Sequence, residues 1–196
     1  MQLFSPGNPV AMAATFLAWL GFCIAMIVTR MSQSPEKAGV ARRDNKSLYG
    51  IALQGVSVWL TWAGPFHVAW PVTPAIWIAA LAPSIIAFLS AGLFIWSQRT
   101  MGTNWSLVAR TREDHSLVQR GPFALMRNPI YVALFGMMVA TAVSLGRPLN
   151  LVVAIPLYIV GTLMRVGIEE KLLRETFGSA YDDYARRVKR FIPAIW

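Results

Sequence analysis

The segment Arg165-Val166-Gly167-Ile168-Glu169-Glu170-Lys171-Leu172-Leu173 places four ionisable side chains directly after a long apolar run. A spacing of four sets Arg165 and Glu169 on one helix face, and Glu170 and Arg174 likewise. Either pair could be a helix salt bridge and no more. Ionisable groups at a bilayer boundary are costly, however, and stand as functional candidates by default. A carboxylate pair there could receive a cationic ligand, and Arg165 an anionic one. A second cluster is Arg127-Asn128-Pro129-Ile130-Tyr131, in which Asn is a favoured helix cap and Pro a favoured first helical residue. A helix starting at Asn128 would offer free amides and a positive dipole, to which Arg127 adds a full charge, so this end could hold a carboxylate or phosphate. The competing reading is a cap beside a snorkelling arginine. A third stretch holds Met101-Gly102-Thr103-Asn104-Trp105-Ser106, Glu113-Asp114-His115-Ser116-Leu117-Val118 and Gly121-Pro122-Phe123. Its glycines and Gly-Pro step mark turns with amides open to a ligand, or an ordinary surface loop. Metal chemistry is not expected. Two histidines, His67 and His115, and one cysteine, Cys23, are too few for zinc or a disulfide framework.

The elements that must position these residues are apolar. Of 196 residues 56% are hydrophobic and 14% charged, against roughly 25% charged in a soluble domain. The bilayer is therefore the expected solvent, and the expected fold is all-α, a single membrane domain over residues 1–196. From Pro9 to Thr29 no charge occurs, which matches the roughly 20 residues needed to span the hydrocarbon. Met1 to Asn8 carry no Lys or Arg, so the first span reads as a retained anchor and not a cleaved signal. Lys46 and Arg99 bracket an uncharged stretch interrupted by Trp70-Pro71-Val72-Thr73-Pro74. It predicts a second span from about Leu48 to Trp70, which would contain His67 as a packed or interfacial residue, and a third from about Pro74 to Ser97. Trp70 and Trp77 would then stand in an aromatic belt. Asn128 to Gly146 and Leu149 to Met164 are the fourth and fifth runs.

Five transmembrane helices divide the connecting segments between two sides. Sixteen of the 18 Lys and Arg residues fall on one side, with Arg147 opposite and Arg165 near the end of the fifth span. By the positive-inside bias the N-terminus is extracytosolic and the C-terminus cytosolic, in a bacterial inner membrane or an endoplasmic reticulum. Orientation thus accounts for the +9 charge, and nucleic-acid binding loses its support. Short connections would suffice for such a bundle, yet residues 99–127 and 165–196 spend long stretches in the cytosol. These two segments are where polar chemistry can occur. In the tail, Leu172, Leu173, Phe177, Tyr181, Tyr184 and Val188 recur at helical spacings. They predict an amphipathic cytosolic helix that lies on the membrane surface or packs over the third loop as a lid.

Taken in order, Gly102…Asn104-Trp105-Ser106, His115-x-Leu117-Val118-x-x-Gly121-Pro122-Phe123, Arg127-Asn128-Pro129-x-Tyr131, Glu169-Glu170 and Phe177-Gly178-x-x-Tyr181-x-x-Tyr184 resemble the isoprenylcysteine carboxyl methyltransferase and phospholipid methyltransferase superfamily. The resemblance covers about residues 100 to 193. It implies a membrane enzyme that binds S-adenosylmethionine on the cytosolic side beneath a C-terminal lid, with a lipid or lipid-like substrate entering from the bilayer. It implies a cofactor pocket lined by His115, Val118, Gly121, Arg127, Asn128, Pro129 and Tyr131, with Glu169 and Glu170 near the amino group and the reacting centre. Arg165 matches an arginine near the acceptor, and Asn104 and Trp105 match its entrance. One departure is Asn128, where carboxyl-methylating members usually have His.

The residue inventory agrees with that chemistry, because methyl transfer from a sulfonium is an in-line displacement that needs positioning, a dry site and control of charge. For an amine acceptor Glu169 or Glu170 could serve as general base. For a prenylcysteine-like carboxylate Arg165 would hold the anion. Two other classes compete: an NADPH-dependent membrane reductase of related fold, and a non-enzymatic membrane scaffold or transport protein. Known reductases of that kind are larger, and the deep spans here carry almost no ionisable groups, which disfavours an ion pathway.

Overall fold

A computed structural model describes residues 4–5, 7–31, 42–43, 47–71, 74–102, 110–111 and 116–193. Each apolar run becomes a helix: α1 (Pro9–Met31), α2 (Ser47–Ala63), α3 (Ala75–Met101), α4 (Pro129–Ser144) and α5 (Leu151–Phe177), followed by the short α6 (Ser179–Arg187). Two-residue strands form two antiparallel bridges, β1 (Phe4–Ser5) with β3 (Trp70–Pro71) and β2 (Arg42–Arg43) with β4 (Arg110–Thr111). The protein is thus helical, as its composition implies. Three helical segments, Pro9–Met31, Ala75–Met101 and Pro148–Phe177, are long and apolar enough to cross a membrane. The 16 residues of α4 reach about 24 Å at 1.5 Å per residue, short of a roughly 30 Å hydrocarbon core.

Helix boundaries follow local chemistry. Asn8 caps α1, its Oδ1 accepting from the amides of Val10 and Ala11 at 3.1 Å each, while its Nδ2 donates to Ile76 O. The second helix ends at Ala63, well before Trp70, because Pro65 disfavours a helical conformation at Gly64. Arg147 donates to Gly64 O, and Asn150 brackets the backbone of Phe66 through bonds of 3.1 and 3.3 Å. The lone cation assigned to that end of the bundle therefore caps α2. His67 lies outside the second helix, in the exposed turn that follows it.

Helix α4 is apolar around its whole circumference and runs through the centre. Ala133, Met137, Met138, Ala140 and Ala142 are completely buried. Ala18, Ala87, Ala91 and Met137 pack α1, α3 and α4 together, and Phe22 stacks on Phe94 with ring centroids 3.6 Å apart. Polar bonds join the helices where lipid provides no partners: Trp19 Nε1 donates to Thr141 Oγ1 at 2.9 Å and Gln54 Nε2 to Thr162 Oγ1 at 2.8 Å. The outward faces of α1 and α3 carry Leu17, Leu20, Ile24, Ile78, Leu81 and Leu89, as a hydrocarbon solvent requires.

The largest departure from the sequence reading concerns the fifth run. It does not end near Met164 but continues unbroken to Phe177, so Leu172 and Leu173 belong to α5 and not to a separate surface helix. The chain turns at Gly178 (φ 53°), whose amide donates to Arg174 O. Beyond the corner α6 turns Tyr181 and Tyr184 inward. Helix α3 likewise extends to Met101 before Gly102 ends it.

Candidate functional site

Tyr158, Thr162, Arg165 and Glu169 recur at intervals of three and four and form one polar stripe along α5. At its end the Tyr131 hydroxyl donates to Glu169 Oε1 at 2.6 Å and accepts from Arg165 Nε at 2.9 Å. Arg165 Nη2 reaches the same carboxylate oxygen at 3.2 Å, and its guanidinium carbon lies 5.4 Å from the centre of the Tyr131 ring. Tyr158 donates to the backbone carbonyl of Tyr131 at 2.8 Å and fixes the first turn of α4 against α5. Tyr131 and Arg165 are buried, so this network operates at low dielectric, where charge-assisted bonds are strong.

Glu170 belongs to a different network, because the next residue on a helix points about 100° away. Its carboxylate receives Arg127 Nη2 at 2.9 Å and Arg190 Nη2 at 2.7 Å. The expected pairing of Glu170 with Arg174 does not form, since Arg174 crosses the Gly178 corner to Asp182 at 2.7 Å. Arg127 also donates through Nη1 to Ala185 O (2.6 Å) and Val188 O (2.7 Å), so it neutralises the C-terminal carbonyls of α6. Its Nε is buried with no partner among the described residues. The amides of Arg127 and Asn128 donate to Lys189 O and Arg190 O at 2.8 and 3.0 Å. The long loop and the tail are thereby joined, as their emergence on one side of the bundle suggests.

Asn128 precedes α4 and Pro129 is its first residue, as the sequence indicates, but Asn128 makes no side-chain cap. Its Nδ2 turns to Arg190 O at 3.3 Å, and its own amide is taken by the tail. Gly121 (φ 60°) opens a short 3-10 turn over Gly121–Ala124. A Cβ there would stand 2.8 Å from Thr100 Oγ1 and 3.2 Å from Trp96 Nε1, so the turn lies directly on the end of α3. Tyr184 donates to Phe123 O at 2.6 Å and docks α6 on that turn, and burial pushes its phenol up to about 12. Val118 is half-buried in the irregular segment before the turn. His115, Asn104 and Trp105 lie outside the described residues.

Two contributors to the site were not singled out by the sequence reading. Tyr158 was legible in principle, as the first member of the polar stripe on α5. Arg190 is one basic residue among several in the tail, and only the fold shows it against Glu170.

The model of the Phospholipid methyltransferase family matches residues 77–180, from the start of α3 to the first turn of α6. The chain belongs to that family. Among its relatives, the protein-S-isoprenylcysteine O-methyltransferase of Tribolium castaneum is 35% identical over 102 residues, 49% of this chain and 35% of that protein. The Saccharomyces cerevisiae enzyme of the same name is 33% identical over 101 residues, 50% of this chain and 42% of that protein. The chain thus aligns with less than half the length of either. A solved eukaryotic intramembrane Ras methyltransferase, an isoprenylcysteine carboxyl methyltransferase, shares the fold with a TM-score of 0.58 at 23% identity, covering 94% of this chain and 64% of that one.

Proposed function

We propose that the chain is an integral-membrane methyltransferase that carries a methyl group from S-adenosylmethionine to a lipid-like acceptor. The acceptor the site favours is a prenylcysteine-like carboxylate. The observation that carries this reading is the Tyr131–Arg165–Glu169 network, a buried guanidinium held beside a phenol and a carboxylate at the end of an apolar helix. Arg165 is the cation that would meet the acceptor carboxylate, with Asn104 and Trp105 at the entrance.

The donor set fits S-adenosylmethionine, whose amino-acid end carries both charges. Arg127 has a buried Nε available to a carboxylate, and Glu169 and Glu170 suit an ammonium. His115, Val118, Gly121, Asn128, Pro129 and Tyr131 complete the proposed pocket. When bound, S-adenosylmethionine supplies an electrophilic methyl on a sulfonium. The residues of this chain do the remaining work: they orient the acceptor, exclude water beneath α6 and fix the charges around the reacting atoms. A second reading, a phospholipid amine as acceptor, is favoured by Glu169. Both of its bonds fall on Oε1, which leaves Oε2 to take an amine proton.

The proposal includes five spans within one membrane domain over residues 1–196, an extracytosolic N-terminus, and a cytosolic site formed by 99–127 and 165–196 with α6 as its lid. Support comes from the charge distribution and from the joining of the two segments. The test is calorimetry of S-adenosylmethionine and S-adenosylhomocysteine against detergent-solubilised protein, with NADPH as control. Methyl transfer to farnesylcysteine and to phosphatidylethanolamine then follows. Binding of NADPH alone would favour a reductase, and no binding by folded protein would leave a membrane scaffold. A reporter fused after Trp196 that reads as extracytosolic would refute the orientation.

A further inference from the structure

Helix α2 lies outside the segment matched by the family model, yet it touches the site. Its Gly50 faces Gly161 and Arg165 of α5. A Cβ built on Gly50 would stand 2.8 Å from Gly161 O and only 2.5 Å from Arg165 Cγ, with Arg165 Cδ at 3.3 Å. The approach is reciprocal, since a Cβ on Gly161 would stand 2.8 Å from Gly50 O and 3.0 Å from Leu53 Cβ. Glycine weakens a helix relative to alanine, so a pair of facing glycines needs a reason, and in a bilayer that reason is close approach of two backbones. One turn further along, the Gln54–Thr162 bond fixes the register of the same crossing.

The two glycines are not equivalent. The three atoms nearest a Cβ on Gly161 all belong to α2, whereas Gly50 also leaves room for the aliphatic stem of Arg165. The Cγ atom is too near the backbone to be moved without moving the guanidinium. Bonds of 2.9 Å to Tyr131 and 3.2 Å to Glu169 depend on where that guanidinium lies.

We propose that Gly50 is a positioning residue for Arg165: the missing side chain on α2 is the seat that holds the guanidinium against Tyr131 and Glu169. The catalytic part of the proposal rests on the methyltransferase reading above, while the positioning part does not. A displacement of about 1 Å at such a group costs on the order of a hundredfold in rate. Gly50→Ala is therefore expected to lower kcat by at least about tenfold, with the affinity for S-adenosylhomocysteine unchanged. Gly161→Ala crowds the same crossing without touching Arg165 and is the control, expected to lower kcat much less.

Two measurements stand apart from activity. In protein carrying 15N-arginine, the Nε–H resonance of Arg165, assigned by its loss in Arg165→Ala, is expected to move in Gly50→Ala and to hold its place in Gly161→Ala. Part of the stability lost in Gly50→Ala is expected to return in the Gly50→Ala/Arg165→Ala double variant, since removal of Cγ removes the 2.5 Å contact and leaves the one with Gly161 O at 2.8 Å, so even a Gly50→Ala protein that does not fold leaves a decisive comparison. An unmoved resonance, equal effects of the two alanines, or no rescue by Arg165→Ala overturns the proposal. The resonance shift and the rescue in the variants, together with no methyl transfer by the wild-type protein, would overturn the function and leave the positioning intact.

Discussion

Replacing Tyr131 by phenylalanine removes one oxygen from the site and keeps the ring that fills the space between α4 and α5. That oxygen donates to Glu169 at 2.6 Å and accepts from Arg165 at 2.9 Å. A hydrogen bond to a charged group contributes roughly 1.5–3 kcal/mol net. The direct Arg165–Glu169 pair at 3.2 Å survives the change and recovers part of the loss. The remaining cost is that of one bond, about 1.5–3 kcal/mol, borne where the proposed function puts the acceptor. At 1.36 kcal/mol per tenfold this is a fall of roughly 13- to 160-fold in kcat/KM. The assay is the initial rate of transfer of labelled methyl from S-adenosylmethionine to farnesylcysteine in lipid nanodiscs, with circular dichroism as the check on folding. A folded Tyr131→Phe protein within about threefold of wild type, far short of one charge-assisted bond, would remove the hydroxyl from the chemistry and with it the argument from the network.

Glu170→Gln removes the charge that draws Arg127 and Arg190 together, so α6 is expected to open more often and trypsin to cut at Arg186 and Arg187 about tenfold faster, without loss of helix content; an unchanged cleavage rate would disprove the clamp. Tyr184 is neutral in its bond to Phe123 O, and its folded-state pKa of about 12 lies above the ordinary 10.0. Its contribution is therefore complete below pH 10 and is lost as pH rises towards 12. Tyrosinate absorbance should show this upper titration in the wild type and not in Tyr184→Phe. Gly121→Ala combines a left-handed backbone with a Cβ 2.8 Å from Thr100 Oγ1, and a loss of about 1–2 kcal/mol is expected in detergent unfolding; an unshifted midpoint would mean that this turn is free to rearrange.

The elements were legible because apolar runs between charges are dictated by the bilayer, and Pro9 and Pro129 mark helix starts by local chemistry alone, whereas the helical spacing read from Leu172 to Val188 ran through the break at Gly178. Where the sequence reading erred, a non-local partner or a neighbouring residue intervened. The end of the second helix depends on Pro65, Arg147 and Asn150 acting together. The fifth helix outlasts its apolar run because Arg165, Glu169 and Glu170 are satisfied by α4 and the tail, so polarity does not end it. Spacing of four correctly paired Arg165 with Glu169 and wrongly paired Glu170 with Arg174. Nothing local distinguishes these two cases; what separates them is the arrival of Arg127 and Arg190 from distant parts of the chain. Gly50 was invisible for the same reason, since its importance depends on which helix passes it.

Adjacent acids on one helix serve two networks here, and their difference in exposure indicates how a ligand would meet them. The side chain of Glu169 is 26% exposed and that of Glu170 8%. Both oxygens of Glu170 already take bonds from Arg190, and one of them from Arg127 as well. A cationic group can therefore approach Glu169 with α6 in place, but it can reach Glu170 only if Arg190 withdraws. Arg190 leaves more readily than Arg127, since its side chain is 40% exposed against 11% and Arg127 is also held by Ala185 O and Val188 O. Glu170 thus links the docking of the tail to the charge of the proposed pocket: a ligand ammonium that displaces Arg190 would take its place on the carboxylate, while the network on Tyr131, at the same level of α5, stays as it is.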